Sequence, residues 1–142
     1  MTDTLKKWLT DNGFDQNDIE AVGENGSTAL LISARKGESD IVMELMALGA
    51  DVNKKNNDGN NALWNGAYAR NEAIIRALVD AGIDKDNRND NGATALMYAS
   101  SNALEDMVEL LLSVGCDKNI QNFDDYTALD LASTPKILKL LR

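Results

Sequence analysis

The chain has no histidine and a single cysteine, Cys116, among its 142 residues. Histidine is the commonest general base, the commonest zinc ligand and the usual partner of a nucleophilic Ser or Cys, so its absence removes most routes to hydrolytic or metal-assisted chemistry. One thiol permits neither an internal disulfide nor a multi-thiolate metal site, which fits a reducing compartment. Positive charge is scarce as well: 14 basic residues stand against 23 acidic ones, for a net charge of −9. On average such a surface repels a phosphate backbone or an anionic membrane, and it argues against nucleic acid and membrane as ligands. Acidity also serves solubility, and that explanation alone covers most of the charge. No stretch approaches the ~18 apolar residues of a membrane helix, and nothing near Met1 pairs a basic segment with an apolar signal run. The expectation is a soluble, cytoplasmic protein.

What the chain does contain is regular. Its 44% hydrophobic content can build one core in a chain the size of a single domain. Gly26, Gly59 and Gly92 are spaced 33 residues apart, with the next step falling on Asp125, and Gly49, Gly82 and Gly115 share that step. Two independent glycine series with one period indicate a repeat architecture. Two residues after each member of the first series stand Thr28, Asn61, Thr94 and Thr127, all residue types that cap a helix N-terminus. Each is followed by Ala-Leu, so four short helices rich in small residues are expected to start in phase. A second helix follows in each unit, with apolar residues at i, i+1, i+4 and i+5: Ile41, Val42, Leu45, Met46; Ile74, Ile75, Leu78, Val79; Met107, Val108, Leu111, Leu112. That is one helical face, not strand alternation. These helices stop at Gly49, Gly82 and Gly115, where positive φ carries no Cβ penalty.

The run from Gly26 to Asn53, with its G-S-T-A-L-L start and its G-A-D-V-N end, resembles an ankyrin repeat almost position for position. The resemblance implies an all-α solenoid of stacked helix-turn-helix units joined by hairpin-like loops. It divides the chain into an N-terminal capping half-repeat over 1–22, full repeats over 23–55, 56–88 and 89–121, and a shortened capping repeat over 122–142. In the cap, Leu5, Trp8 and Leu9 share one side of a helix, with Phe14 and Ile19 in the link behind it, so Trp8 is expected to pack. The family's Thr-Pro-Leu-His start is absent throughout, and the glycine between the paired helices survives only as Gly37, with Arg70, Ala103 and Lys136 in its place. Modest stability is therefore expected.

Ankyrin-like stacks grip partners with their hairpin tips and the exposed side of the first helix, so the resemblance implies a protein-binding concave face. Carried over by position, that face holds Glu24, Asn25, Ser27, Arg35 and Lys36; then Lys55, Asn57, Asp58, Asn60 and Tyr68; then Arg88, Asp90, Asn91, Ala93, Ser101 and Asn102; then Phe123, Asp124, Tyr126 and Thr134. Each polar one competes with the simpler reading of a solvated loop residue. Aromatics discriminate better, being only 5% of the chain yet enriched at interface hot spots. Trp64 and Tyr68, four apart, share a helix face; Trp64 stands where the family has histidine, and packing and binding both fit it. Tyr68, Phe123 and Tyr126 have less reason to be in a core. The net charge favours a partner protein with a basic patch.

Competing expectations are specific. Trp64, Tyr68 and Tyr98 could enclose a cation such as a methylated lysine, provided the rings converge on an open pocket beside Asp58 or Asp90. Leu138 and Leu141, if exposed, give a monomer a route to self-association through the C-terminal cap. The stretch Asp84–Gly92 superficially suggests a calcium loop, but aligning Gly92 with the loop's glycine puts Asn87 first and Tyr98 last, where acidic ligands are needed. Cys116 occupies a packed alanine position and is expected to be an inert buried thiol. No nucleophile, metal or cofactor site can be nominated.

Overall fold

Two rows of short helices, stacked unit upon unit, carry the chain. The computed structural model describes residues 1–142 and contains eight α-helices and no strand: α1 (Asp3–Asp11), α2 (Ala29–Arg35), α3 (Ser39–Ala47), α4 (Ala62–Tyr68), α5 (Glu72–Asp80), α6 (Ala95–Ser101), α7 (Glu105–Ser113) and α8 (Pro135–Leu141). The pairs α2/α3, α4/α5 and α6/α7 each pack internally; α2, α4 and α6 form one row, and α3 and α5 pack in the other, with α8 against α7.

The starts of the inner row follow from their caps. Thr28 Oγ1 accepts from the Leu31 N–H at 3.3 Å, Asn61 Oδ1 from Trp64 at 3.3 Å and Thr94 Oγ1 from Met97 at 3.2 Å. Each bond satisfies one of the orphan N–H groups that open a helix. Behind the caps, Ala29, Ala62 and Ala95 are buried with Leu30, Leu63 and Leu96. Small residues let the row pack closely, and the outer helices contribute Ile41, Val42, Leu45, Ile74, Ile75, Leu78, Met107, Val108 and Leu111 to one continuous core. Met46, Val79 and Leu112, the last residue of each apolar motif, are only half-buried.

Polar ladders lock the units in register. At the hairpin tips, Asn57 N–H donates to Asn25 O at 2.9 Å, Asp90 N–H to Asp58 O at 3.0 Å and Phe123 N–H to Asn91 O at 3.1 Å. A second ladder joins the loops after the outer helices: Asp51 N–H to Glu20 Oε1, Asp84 N–H to Asn53 Oδ1 and Asp117 N–H to Asp86 Oδ1, at 2.8, 2.9 and 2.8 Å. The tips approach so closely that a Cβ on Gly92, which sits at φ +73, would lie 2.8 Å from the Phe123 ring.

At the N-terminus, α1 buries Leu5 and Leu9, and Trp8 stacks on Phe14 with centroids 6.1 Å apart, as packing requires. Thr2 both caps α1 and ties it to α3, its N–H and O–H reaching the Glu44 carboxylate at 2.6 and 2.7 Å.

Three expectations fail at the C-terminus. The fourth in-phase helix does not form: residues 128–131 make a single turn, although Thr127 and Asp130 exchange the reciprocal bonds of a capping box, the Asp130 carboxylate accepting from the Thr127 N–H and O–H at 2.9 and 3.1 Å and Thr127 Oγ1 from the Asp130 N–H at 3.3 Å. Lys136 is not in a joint between helices. Pro135 opens α8 three residues before the position one period after Glu105, which places Lys136 inside that helix. Leu141 is 2% exposed, turned with Ile137 into the core, and Leu138 is half-buried, so the apolar end surface expected for self-association is largely absent.

Candidate functional site

The last turn of each inner helix presents one equivalent position outward: Arg35 from α2, Tyr68 from α4 and Ser101 from α6. All three are exposed, Tyr68 by 50%. One turn before Tyr68 lies Trp64, and Tyr98 of α6 lies against both. The Trp64 and Tyr98 centroids are 4.3 Å apart at an interplanar angle of 34°, and those of Tyr68 and Tyr98 are 6.5 Å apart at 29°. On the side of the first unit, the Arg35 guanidinium carbon is 5.0 Å from the Tyr68 centroid. The three rings and Arg35 line a groove of about 290 Å³, completed by Asp58, Asn60 and Asn65.

Three side chains of the groove are fixed from behind. Asn65 donates to Leu31 O at 3.1 Å, Asn60 Oδ1 accepts from Asn89 at 3.0 Å and Asp58 Oδ2 accepts from Asn25 at 3.0 Å. Burial, with the neighbouring Tyr68, pushes the Tyr98 phenol up, against a smaller opposing pull from Arg35. It stays protonated at neutral pH and offers a hydroxyl. The Trp64 indole N–H is buried and has no partner, at a desolvation cost of about 1–3 kcal/mol. Asp58 belongs to none of the molecule's three ion pairs, Lys7–Asp11, Arg70–Asp106 and Arg76–Glu72. The groove thus combines a row of stacked aromatic rings, a carboxylate outside any ion pair and a stacked cation.

A second exposed aromatic pair marks the last hairpin, where Phe123 is 66% and Tyr126 51% exposed beside Asp124. Arg88 stacks under Phe123 at 5.1 Å and donates to Gly92 O and Gln121 O.

The repeat geometry has its counterpart in sequence space: the family model for ankyrin repeats (three copies) matches residues 1–89, 48–122 and 82–142, which together span the chain. The chain belongs to the ankyrin-repeat family. No curated protein matches it. Ankyrin repeats generally mediate contacts between proteins, and no helix in this ankyrin-repeat chain is long and apolar enough to cross a membrane.

The residues expected on the binding face divide accordingly. Arg35, Asp58, Asn60, Trp64 and Tyr68 come together in the groove, although Asn60 is 8% exposed and supports the hairpin instead of standing free. Lys55, Asn57, Asp90, Asn91 and Asp124 are exposed at the tips, with Asn57 and Asn91 also lending backbone groups to the ladder. Lys36 is turned away and donates to Asn12 Oδ1 of the cap at 2.6 Å. Arg88 braces the last hairpin, and Ser101 Oγ donates to Tyr98 O at 3.3 Å.

Sequence reasoning missed Asn65 and the hairpin-closing asparagines. Asn56, Asn89 and Asn122 each accept two loop N–H bonds on Oδ1. Their 33-residue spacing was open to view. Cys116 is buried, its Sγ directed at Lys85 O, and burial, reinforced by Asp86, pushes its thiol to about 12.

Proposed function

We propose that this ankyrin-repeat protein is a non-enzymatic adaptor, scaffold or inhibitor that binds a basic segment of one partner protein on its concave face. The observation that carries the reading is the coincidence of exposed aromatics with free carboxylates. Tyr68, Phe123 and Tyr126 are among the few large hydrophobic side chains left in solvent. Asp58, Asp90 and Asp124 lie on the same tips and groove without a cationic partner. Aromatics supply contact area and the carboxylates supply steering and register. Leu141, buried in the terminal helix, supports a monomer as the acting species, and the single buried thiol supports residence in a reducing compartment such as the cytoplasm.

The test is affinity capture from the native lysate with the wild-type chain, a Tyr68→Ala/Phe123→Ala/Tyr126→Ala variant and an Asp58→Asn/Asp90→Asn/Asp124→Asn variant, each first verified as folded. One partner retained by wild type, lost by the aromatic variant and weakened by the charge variant and by salt supports the reading. Equal retention by all three proteins places the partner on another surface and defeats it.

A further inference from the structure

The least expected feature of the groove is Arg35. In a chain carrying 23 acidic residues, its guanidinium takes part in none of the ion pairs and rests instead on the face of Tyr68, 5.0 Å from the centroid. Asp58 lines the same groove, holds Asn25 through one carboxylate oxygen and keeps the other free of protein partners. An unpaired cation and an unpaired anion therefore face one space without joining.

We infer that Arg35 occupies, from within the chain, the place where an arginine side chain of the partner stacks, and that binding displaces Arg35 from Tyr68 and seats the incoming guanidinium against Asp58. This rests on the proposed basic partner and specifies its chemistry.

Shape decides for arginine. The rings of Trp64, Tyr98 and Tyr68 stack in succession, 4.3 and 6.5 Å between centroids and within 29–34° of parallel from one to the next, with Arg35 over the Tyr68 ring. A box of mutually perpendicular walls, suited to a bulky trimethylammonium, is not what they form. A planar guanidinium stacks on the end face of such a row, as Arg35 does on Tyr68, is weakly hydrated, and presents a fork that fits a carboxylate bidentately. Arg35 is itself the demonstration that a guanidinium sits well against Tyr68. Displacing it is cheap, since an exposed cation–π contact corresponds to about a two- to fivefold factor in an equilibrium constant. Its charge also repels any incoming cation. Arg35 accordingly weakens binding, the opposite sign from a contact residue.

The experiment titrates the full chain with a capped Gly/Ser pentapeptide carrying one arginine, and with its lysine, trimethyl-lysine and citrulline counterparts. Binding is followed at the Trp64 indole N–H resonance. Arg35→Ala replaces an exposed helical residue with the best helix former, and thermal melts verify that it and Asp58→Asn are folded. The expected result is that Arg35→Ala binds the arginine peptide about two- to fivefold more tightly than wild type. Asp58→Asn is expected to bind it more weakly, with lysine inferior to arginine and citrulline silent. Unchanged or weaker binding by Arg35→Ala overturns the inference by making Arg35 a direct contact, and preference for trimethyl-lysine overturns the planar-cation assignment. Absence of binding by every variant also overturns it, while partner capture that still depends on Tyr68 would leave the protein-binding function standing.

Discussion

Ala103 and Arg70 sit at φ +59 and +54 in the joints between paired helices, where the first pair has Gly37 at +70. A side chain in this region costs about 1–2 kcal/mol, partly offset by glycine's larger unfolded-state entropy of about 0.5–1 kcal/mol. Ala103→Gly is therefore expected to stabilise the fold by about 0.5–1 kcal/mol. Gly92→Ala acts oppositely, since it adds the same strain and drives a Cβ into Phe123 at 2.8 Å; its expected cost is at least about 1–2 kcal/mol. Urea denaturation of the two variants reads both signs, and a destabilised Ala103→Gly would refute the strain argument. Arg70 is less suited to the same exchange because its guanidinium holds Asp106 at 2.7 Å. At this scale the sequence was legible where a residue's role depends on its own backbone: the caps, the positive-φ glycines, the exposed Tyr68, Phe123 and Tyr126. It was illegible where the role depends on a neighbour one unit away. Nothing local says that Asn60 is buried under Asn89, that Lys36 reaches the cap, or that Arg35 lies on Tyr68.

Among the elements, α1 and the fourth unit teach different lessons. The apolar spacing of Leu5, Trp8 and Leu9 disclosed α1, but its anchorage did not show, because Glu44 is 42 residues from Thr2. The two bonds from Thr2 hold the Glu44 carboxyl below its ordinary range, the backbone N–H contributing most. A depressed folded-state value means stability that is present above the ordinary carboxylate range and lost as pH falls through the folded value. Wild type should thus melt higher than Glu44→Gln at neutral pH, with the gap closing in acid; a gap independent of pH would exclude the linkage. The fourth unit shows how identical local signals diverge: Thr127-Ala128-Leu129 repeats the earlier starts, and Thr127 still caps a turn, yet Pro135 launches α8 early and leaves room for that single turn only. Counting by a fixed period cannot register that shortening.

For the whole molecule, each unit touches only its neighbours, so stability is a sum of unit and interface contributions. Leu78 of α5 and Ile137 of α8 are both fully buried, yet they occupy different places in that sum. Leu78→Ala is expected to cost about 2–5 kcal/mol of cooperative unfolding, whereas Ile137→Ala should chiefly release the terminal helix. Hydrogen exchange separates the two outcomes: Ile137→Ala should accelerate exchange in α8 and leave α4 and α5 near wild type. Uniform acceleration across the chain would contradict a nearest-neighbour stack. The architecture was legible from the sequence because it is periodic; the identity of a partner is not, because a concave face is chosen by chemistry outside the chain.

The tip ladder has a consequence for how such a molecule can change in size. Each donor, at Asn57, Asp90 and Phe123, lies 32 residues after its acceptor, and no joint shares a hydrogen-bonding group with the next. A duplicated or deleted unit of 33 residues leaves every remaining joint with its donor and acceptor in step. An insertion of another length must bulge from a loop between two tips if the joint that spans it is to survive. The chain can therefore grow or shrink by whole units, and the length of the row of tips becomes a quantity counted in integers.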